Sequence, residues 1–329
     1  MILPDAPATQ PLIWVLTACY NEEENVEVLY ERVRAVFAKL DGYTYEHVFI
    51  DNASTDRTVA ILREIAARDR NVKIIVNTRN FGHVRSPYHA LLQCRAHAVI
   101  GLVADLQDPP ELIPEFLAKW QQGYKVVLGV KTASQDSPLM SAIRRRYYGL
   151  LDRLSETRQV RNSTGFGLYD QSFIAVLRTL TDPYPYFRGI VSELGFQYAT
   201  VLYTQPPRVR GTTKNNFYTL YDIGIAGIVN HSKIPLRLAT MMGFCGGVLC
   251  LLGAVVYLVV KLLFWCNLPV GIAPLIITLF FLSSVQLFFL GILGEYIGSI
   301  YTQVRNRPLV VERERINFDD DNPTAKRQA

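Results

Sequence analysis

The stretch "AVIGLVADLQDPPELIPEF", Ala98 to Phe116, carries the pattern that decides the fold. The run Ala98–Val103 is apolar, short and branched, as a buried strand tends to be. A polar cluster follows, with Asp105, Gln107, Asp108 and Glu111 set around Pro109-Pro110. Ile113, Phe116, Leu117 and Trp120 then recur at helical spacing. Strand, polar turn and amphipathic helix together form the repeating unit of an α/β protein.

The unit recurs along residues 12–204. Apolar runs at Leu12–Thr17, His47–Asp51, Val72–Val76 and Lys125–Gly129 read as further parallel strands. Val26, Leu29, Val33, Val36, Phe37 and Leu40 form one face of a helix between the first two. This alternation predicts a doubly wound, Rossmann-like α/β sheet, whose ligands sit beyond the carboxyl ends of the strands. The polar clusters fall at those ends: "CYNEEEN" from Cys19, "DNASTDRT" from Asp51, "NTRNFGH" from Asn77 and "ADLQDPPE" from Ala104. Neither GxGxxG nor GxxxxGK[ST] occurs, which argues against a dinucleotide fold and a P-loop.

The chain of 329 residues is 50% hydrophobic with a net charge of +5, and its apolar content is concentrated late. From Met241 to Leu263 only Lys261 is charged, and from Ile272 to Tyr301 only Glu295 is. Both stretches exceed the ~20 residues that cross a bilayer and are apolar on all faces, so two transmembrane helices are expected. Lys233, Arg237, Arg305, Arg307, Arg313 and Arg315 all lie on one side of this hairpin, so both termini are expected in the cytoplasm. Residues 216–237 read as juxtamembrane amphipathic helix, and the tail after Arg307 as charged and mobile. The expected division is a catalytic domain at 1–215, the juxtamembrane segment at 216–237, a two-helix hairpin at 238–301 and a tail at 302–329. "MILPDAPATQP" lacks a basic segment before an apolar core, so no cleaved signal peptide is expected. The 5 cysteines show no CxxC spacing, and no zinc site, disulfide framework or nucleic-acid partner is expected.

Each motif has a structural and a chemical reading. Asn21 can cap the next helix, with Glu24 completing a capping box. Tyr20 and Glu22 could instead hold a nucleotide, and the two roles are compatible. Asp51 ends an apolar strand, where its carboxylate can accept the imide N–H of a uracil; Ser54 or Asp56 can cap the following helix. Asp108, the prolines and Glu111 read as a helix start with an N-cap and a capping box. Asp105 and Gln107 lie ahead of that cap, where a hard cation could take their oxygens. Lys131, Arg144, Arg145, Arg146, Arg208, Arg210 and Lys214 suit an anionic substrate or anionic lipid. His83 and His89 read as structural or substrate-positioning.

"YNEEENV", "DNASTDRT", "RNFG", "ADLQDPPELIPEF", the RxxGxTK run from Arg208 to Lys214, and "GEYIGSIYTQVRNRP" occur in one order. In this the chain resembles the polyprenyl-phosphate glycosyltransferases, membrane-bound family-2 enzymes of GT-A fold, over roughly residues 12 to 310. The resemblance implies inverting transfer of one sugar from a nucleotide sugar, UDP-linked by preference, to a polyprenyl phosphate of undecaprenyl type. The product would be a sugar donor for cell-envelope glycosylation. It implies nucleotide-sugar contacts from Tyr20, Glu22, Asp51, Arg79, Arg208 and Lys214, and acceptor-phosphate contacts from Lys131 and Arg145. Asp105 and Asp108 would be catalytic, with Asp105 and Gln107 ligating Mg²⁺ or Mn²⁺. It further implies a multi-pass protein of the bacterial inner membrane, its catalytic domain cytoplasmic, and a homo-oligomer such as a tetramer. The chain departs from the family's pattern at Val103 (an acid there), Ala18 (a proline), Asn52 (an aspartate) and Gly165-Phe166-Gly167 (GDFR). These departures also suit a catalytically impaired scaffold that keeps the fold. The QxxRW motif of processive polysaccharide synthases is absent.

Overall fold

A computed structural model describes residues 10–132, 163–180, 182, 185, 187–206, 234–263, 272–305 and 307–318. The chain divides into two compact units, one built on a β-sheet and one on two long helices.

In the first unit the elements follow in the order β1 (Leu12–Cys19), α1 (Val26–Phe37), β2 (Thr44–Asp51), α2 (Thr58–Arg68), β3 (Val72–Asn77), α3 (Gly82–Leu92) and β4 (Ala98–Val103). A 3₁₀ turn (Pro110–Leu112) leads into α4 (Ile113–Gln121), then β5 (Val126–Lys131), β6 (Ser163–Asp170), α5 (Gln171–Leu177), α6 (Phe187–Glu193) and β7 (Tyr198–Tyr203). The sheet order is β7-β5-β6-β4-β1-β2-β3-β8, where β8 is Glu312–Ile316.

The central strands are apolar on both faces because helices cover both. Along β1, Trp14 and Leu16 join a core layer with Tyr88 of α3 and Phe173 of α5. Ile13 and Val15 join the opposite layer with Leu29 and Val33 of α1 and Phe116 of α4. Helix α1 buries Val26, Leu29, Tyr30, Val33 and Phe37, one stripe at helical spacing, which is why this segment is helical and lies on the sheet.

The expectation of a parallel α/β sheet holds for β1 to β5 but misses three strands, of which β7 pairs parallel to β5. β6 inserts antiparallel between β4 and β5, so the sheet is mixed and GT-A-like. Glycine is required there: a Cβ on Gly167 would stand 2.3 Å from the Val127 carbonyl oxygen. The tail, expected to be mobile, instead supplies β8, antiparallel to β3 at the sheet edge. Pairing satisfies the edge strand's backbone groups, which would otherwise face solvent.

The chain order reverses at β1: β2 and β3 lie to one side of it and β4 to the other. That switch point opens a crevice between the loops leaving β1 and β4.

The second unit contains α7 (Ile234–Leu263) and α8 (Ile272–Val304), of 30 and 33 residues. At 1.5 Å per residue they are about 45 and 50 Å long. Met241, Phe244, Leu249, Leu252, Leu282, Leu287 and Phe288 are exposed large apolar side chains along them. Among the described residues, Phe281–Val304 is the one segment apolar and long enough to cross a bilayer. Most of residues 216–237 lie outside the described residues.

Candidate active site

Three loops at the carboxyl ends of β1, β2 and β4 each contain a non-glycine residue in the left-handed region: Asn21 (φ 55), Ala53 (φ 60) and Leu106 (φ 60). Such backbone costs on the order of 1–3 kcal/mol per residue and persists where the surroundings enforce it, often at functional sites. In the β1 and β2 loops hydrogen bonds enforce it. Asn21 N–H donates to Ser54 Oγ at 2.9 Å, Glu22 N–H to Thr58 Oγ1 at 2.8 Å, and Thr55 N–H to Asn21 Oδ1 at 2.8 Å.

This network corrects the capping-box expectation. Helix α1 begins at Val26 with Asn25 in the cap position and no side-chain cap bond. Asn21 is instead bonded across to the β2 loop, and Glu22 Oε2 accepts from Asn25 Nδ2 at 2.6 Å. Tyr20 and Glu22 are half-buried at the mouth of the crevice. Arg57 holds the cap position of α2 with no side-chain cap bond, and Asp56 Oδ1 accepts from Thr58 N–H at 3.0 Å just ahead of it.

Asp51 is fully buried at the end of β2. Its Oδ2 accepts from Ser54 N–H at 3.0 Å and its Oδ1 from Ser54 Oγ at 2.5 Å. Burial pushes its carboxyl above the ordinary range, while the Ser54 bonds and the charge of Arg313 pull it down. Asn52, where the family's pattern has an acid, is a two-sided clip. Its Nδ2 donates to Asn80 Oδ1 at 2.8 Å and the Gly82 carbonyl at 3.1 Å, and its Oδ1 accepts from Phe81 N–H at 2.8 Å. The clip fixes the β3–α3 loop, where the exposed Arg79 lies over the Phe81 ring at 4.0 Å.

The β4 loop overturns the second capping expectation. The 3₁₀ turn starts at Pro110 with no side-chain cap, and Glu111 forms a two-bond pair with Arg32 at 2.9 and 2.7 Å. Asp108, only 2% exposed, accepts from the Tyr203 hydroxyl of β7 at 2.8 Å. Burial pushes its carboxyl up to about 6, against the Tyr203 hydrogen bond and the nearby Lys131 charge; Asp105 adds to the rise. Tyr203 was not legible as a site residue, although its place at the carboxyl end of a strand marks it. Asp105 and Gln107 are half-buried, and Gln107 N–H donates to Asp105 Oδ1 at 3.2 Å. Val103 leaves its side chain 41% exposed at the end of β4.

The structure thus brings Asp105, Asp108 and Lys131 into one electrostatic cluster and holds Tyr20, Glu22 and Asp51 on bonded neighbouring loops. Arg145, Arg208 and Lys214 lie outside the described residues. His89 is structural: its Nε2 lies 2.6 Å from Glu312 Oε1 of β8.

Among the described residues no three His, Cys, Asp or Glu side chains cluster as a closed metal site. Mg²⁺-type cations need less, since one or two carboxylates, waters and substrate phosphates complete the shell. A half-buried Asp105 carboxylate, with the half-buried Gln107 two residues on and the buried acid Asp108 nearby, fits such a cation.

Residues 14–180 match the glycosyl transferase family 2 profile. The chain is 35% identical over 298 residues to the SfII prophage-derived bactoprenol glucosyl transferase of Shigella flexneri, covering 90% of this chain and 96% of the relative. It is 33% identical to the bactoprenol glucosyl transferase of Shigella phage SfV, covering 92% and 99%. It is 31% identical to an uncharacterized glycosyltransferase of Synechocystis sp., covering 90% and 92%.

Proposed function

Because the chain belongs to glycosyl transferase family 2, a family of sugar-transferring enzymes, we propose that it moves one sugar from a nucleotide sugar, UDP-linked by preference, to a polyprenyl phosphate. The transfer inverts the anomeric centre and takes place at the cytoplasmic face of a bacterial inner membrane. The support that carries the assignment is likeness to bactoprenol glucosyl transferases over 90% or more of both chains.

The chemistry asks for positioning and charge rather than a general base. A phosphate monoester has a second pKa near ~6, so at neutral pH the acceptor is largely dianionic and already nucleophilic. Asp51 receives the base, with Tyr20, Glu22 and Arg79 around the nucleotide. Lys131, with Arg145, holds the acceptor phosphate, and Arg208 and Lys214 close on the diphosphate. Asp105 and Gln107 would hold a divalent cation, Mg²⁺ or Mn²⁺, that neutralises charge on the departing diphosphate. Asp108, packed under the same loop and tied to Tyr203, keeps Asp105 in place. Alignment of phosphate oxygen and anomeric carbon supplies the rest.

The domain division belongs to this proposal: a catalytic domain at 1–215, a juxtamembrane segment at 216–237, two membrane spans within 238–301 and a tail at 302–329. So do cytoplasmic termini and a homo-oligomeric assembly. Detergent-solubilised full-length protein, given labelled UDP-sugars and undecaprenyl phosphate, should yield label in an organic-extractable lipid. Asp105→Ala should abolish it, and full retention would remove the cation role. A second reading, a catalytically impaired scaffold, is favoured by the apolar Val103 side chain at the cleft. Absence of transfer and of binding across all nucleotide sugars would select it.

A further inference from the structure

The tail strand β8 lies at the sheet edge beside β3, on the Asp51 side of the crevice. β8 pairs with β3 as Ile74↔Ile316, Ile75↔Arg315 and Val76↔Glu314, and the next partner of Asn77 is Glu312. Arg313 is therefore the extra residue of a β-bulge. Bulges re-aim a side chain and recur beside active sites.

The neighbours of Arg313 are committed elsewhere. Glu312 binds His89 at 2.6 Å and Arg315 at 2.5 Å, on the α3 side, and Glu314 pairs with Arg63 of α2 at 2.5 Å. These contacts anchor the strand to helices on both faces of the sheet. Arg313 is exposed, and among the described residues no carboxylate forms an ion pair with it. It stands at the level of Asp51, since Asp51 and Glu314 both pair with Val76. Its charge is felt at the Asp51 carboxyl.

The sheet order places it relative to the substrate. β8 lies two strands from β2 and four from β4, or about 10 and 19 Å at ~4.8 Å per strand. It therefore flanks the Asp51 end of the crevice and not the Asp105 end. A guanidinium only donates, so it matches a ring carbonyl next to a ring N–H and not an exocyclic amine. Uracil and guanine present that edge; cytosine and adenine do not.

We propose that Arg313 of the tail strand, at the Asp51 end of the crevice, is a specificity-determining residue that reads the keto edge of the donor's base. The inference rests on the nucleotide-sugar site proposed above. A lost charge-assisted hydrogen bond corresponds to a roughly 10- to 100-fold weaker complex.

The test is calorimetric titration of the full chain in detergent with UDP, GDP and CDP. Wild-type protein should bind UDP or GDP at least about tenfold more tightly than CDP. Arg313→Ala should weaken the favoured nucleotide by ~10–100-fold and erase the preference. Glu314→Gln, which removes the Arg63 pair but no proposed base contact, should keep it. Equal affinity of wild type and Arg313→Ala for the favoured nucleotide would overturn the role of Arg313 and leave the site standing. Parallel weakening of UDP and CDP would overturn base reading. Failure of wild-type protein to bind any of the three would instead sink the nucleotide-sugar site itself.

Discussion

The Tyr203 hydroxyl donates a 2.8 Å hydrogen bond to Asp108 Oδ1, joining the last residue of β7 to the β4 loop with both side chains buried. A carboxylate placed there has few other sources of stabilisation, and the loop that contains Asp105 rests on it.

Tyr203→Phe should remove that donor and leave the acid less satisfied. An unsatisfied buried acceptor costs ~1–3 kcal/mol, so thermal denaturation should show a lower Tm. Transfer activity should fall with it, and an unchanged Tm would show that Asp108 finds another donor.

Val103→Asp would restore the family's acid at a position whose side chain is 41% exposed. Little desolvation follows, so stability should change by no more than about 0.5 kcal/mol. A second carboxylate near Asp105 should lower the Mg²⁺ or Mn²⁺ concentration that gives half-maximal transfer. No change in that concentration would place residue 103 outside the cation's reach.

Asn52→Asp is isosteric but should destabilise. The amide donates to Asn80 Oδ1 and the Gly82 carbonyl, and a carboxylate would turn both contacts repulsive. The cost should be ~1–3 kcal/mol in denaturant unfolding, together with faster proteolysis of the β3–α3 loop. The position is a clip that needs an amide's donor and acceptor together.

Glu312 gives a pH-dependent signature. Burial alone would raise its carboxyl, but hydrogen bonds from His89 and Arg315 outweigh that and hold it at about 2, below its ordinary 4.5. A depressed acid contributes stability that is present above its unfolded value and lost as pH falls through the folded one. Glu312→Gln should therefore be less stable than wild type at pH 7 by roughly 3 kcal/mol, at ~1.4 kcal/mol per unit. The gap should close between about pH 4.5 and 2. A gap independent of pH would show that packing, not ionisation, anchors β8.

What the sequence alone determined was local. Strands β1 to β4 and helix α1 are written in apolar periodicity over a few residues, because a buried strand or helix face must be apolar at its own spacing. The polar loops at the strand ends, with Asp51, Asp105 and Asp108, were legible for the same reason. The two caps read at Asn21 and Asp108 were not there. A cap competes with distant partners: Asn21 Oδ1 is taken by Thr55, 34 residues on, and Asp108 by Tyr203, 95 residues on. The antiparallel strand β6 and the return of the tail as β8 were likewise decided only in three dimensions. His89 and Glu312 are 223 residues apart. No local pattern specifies such a pair; a sheet edge with unpaired backbone and a half-buried ring 2.6 Å from a carboxylate do.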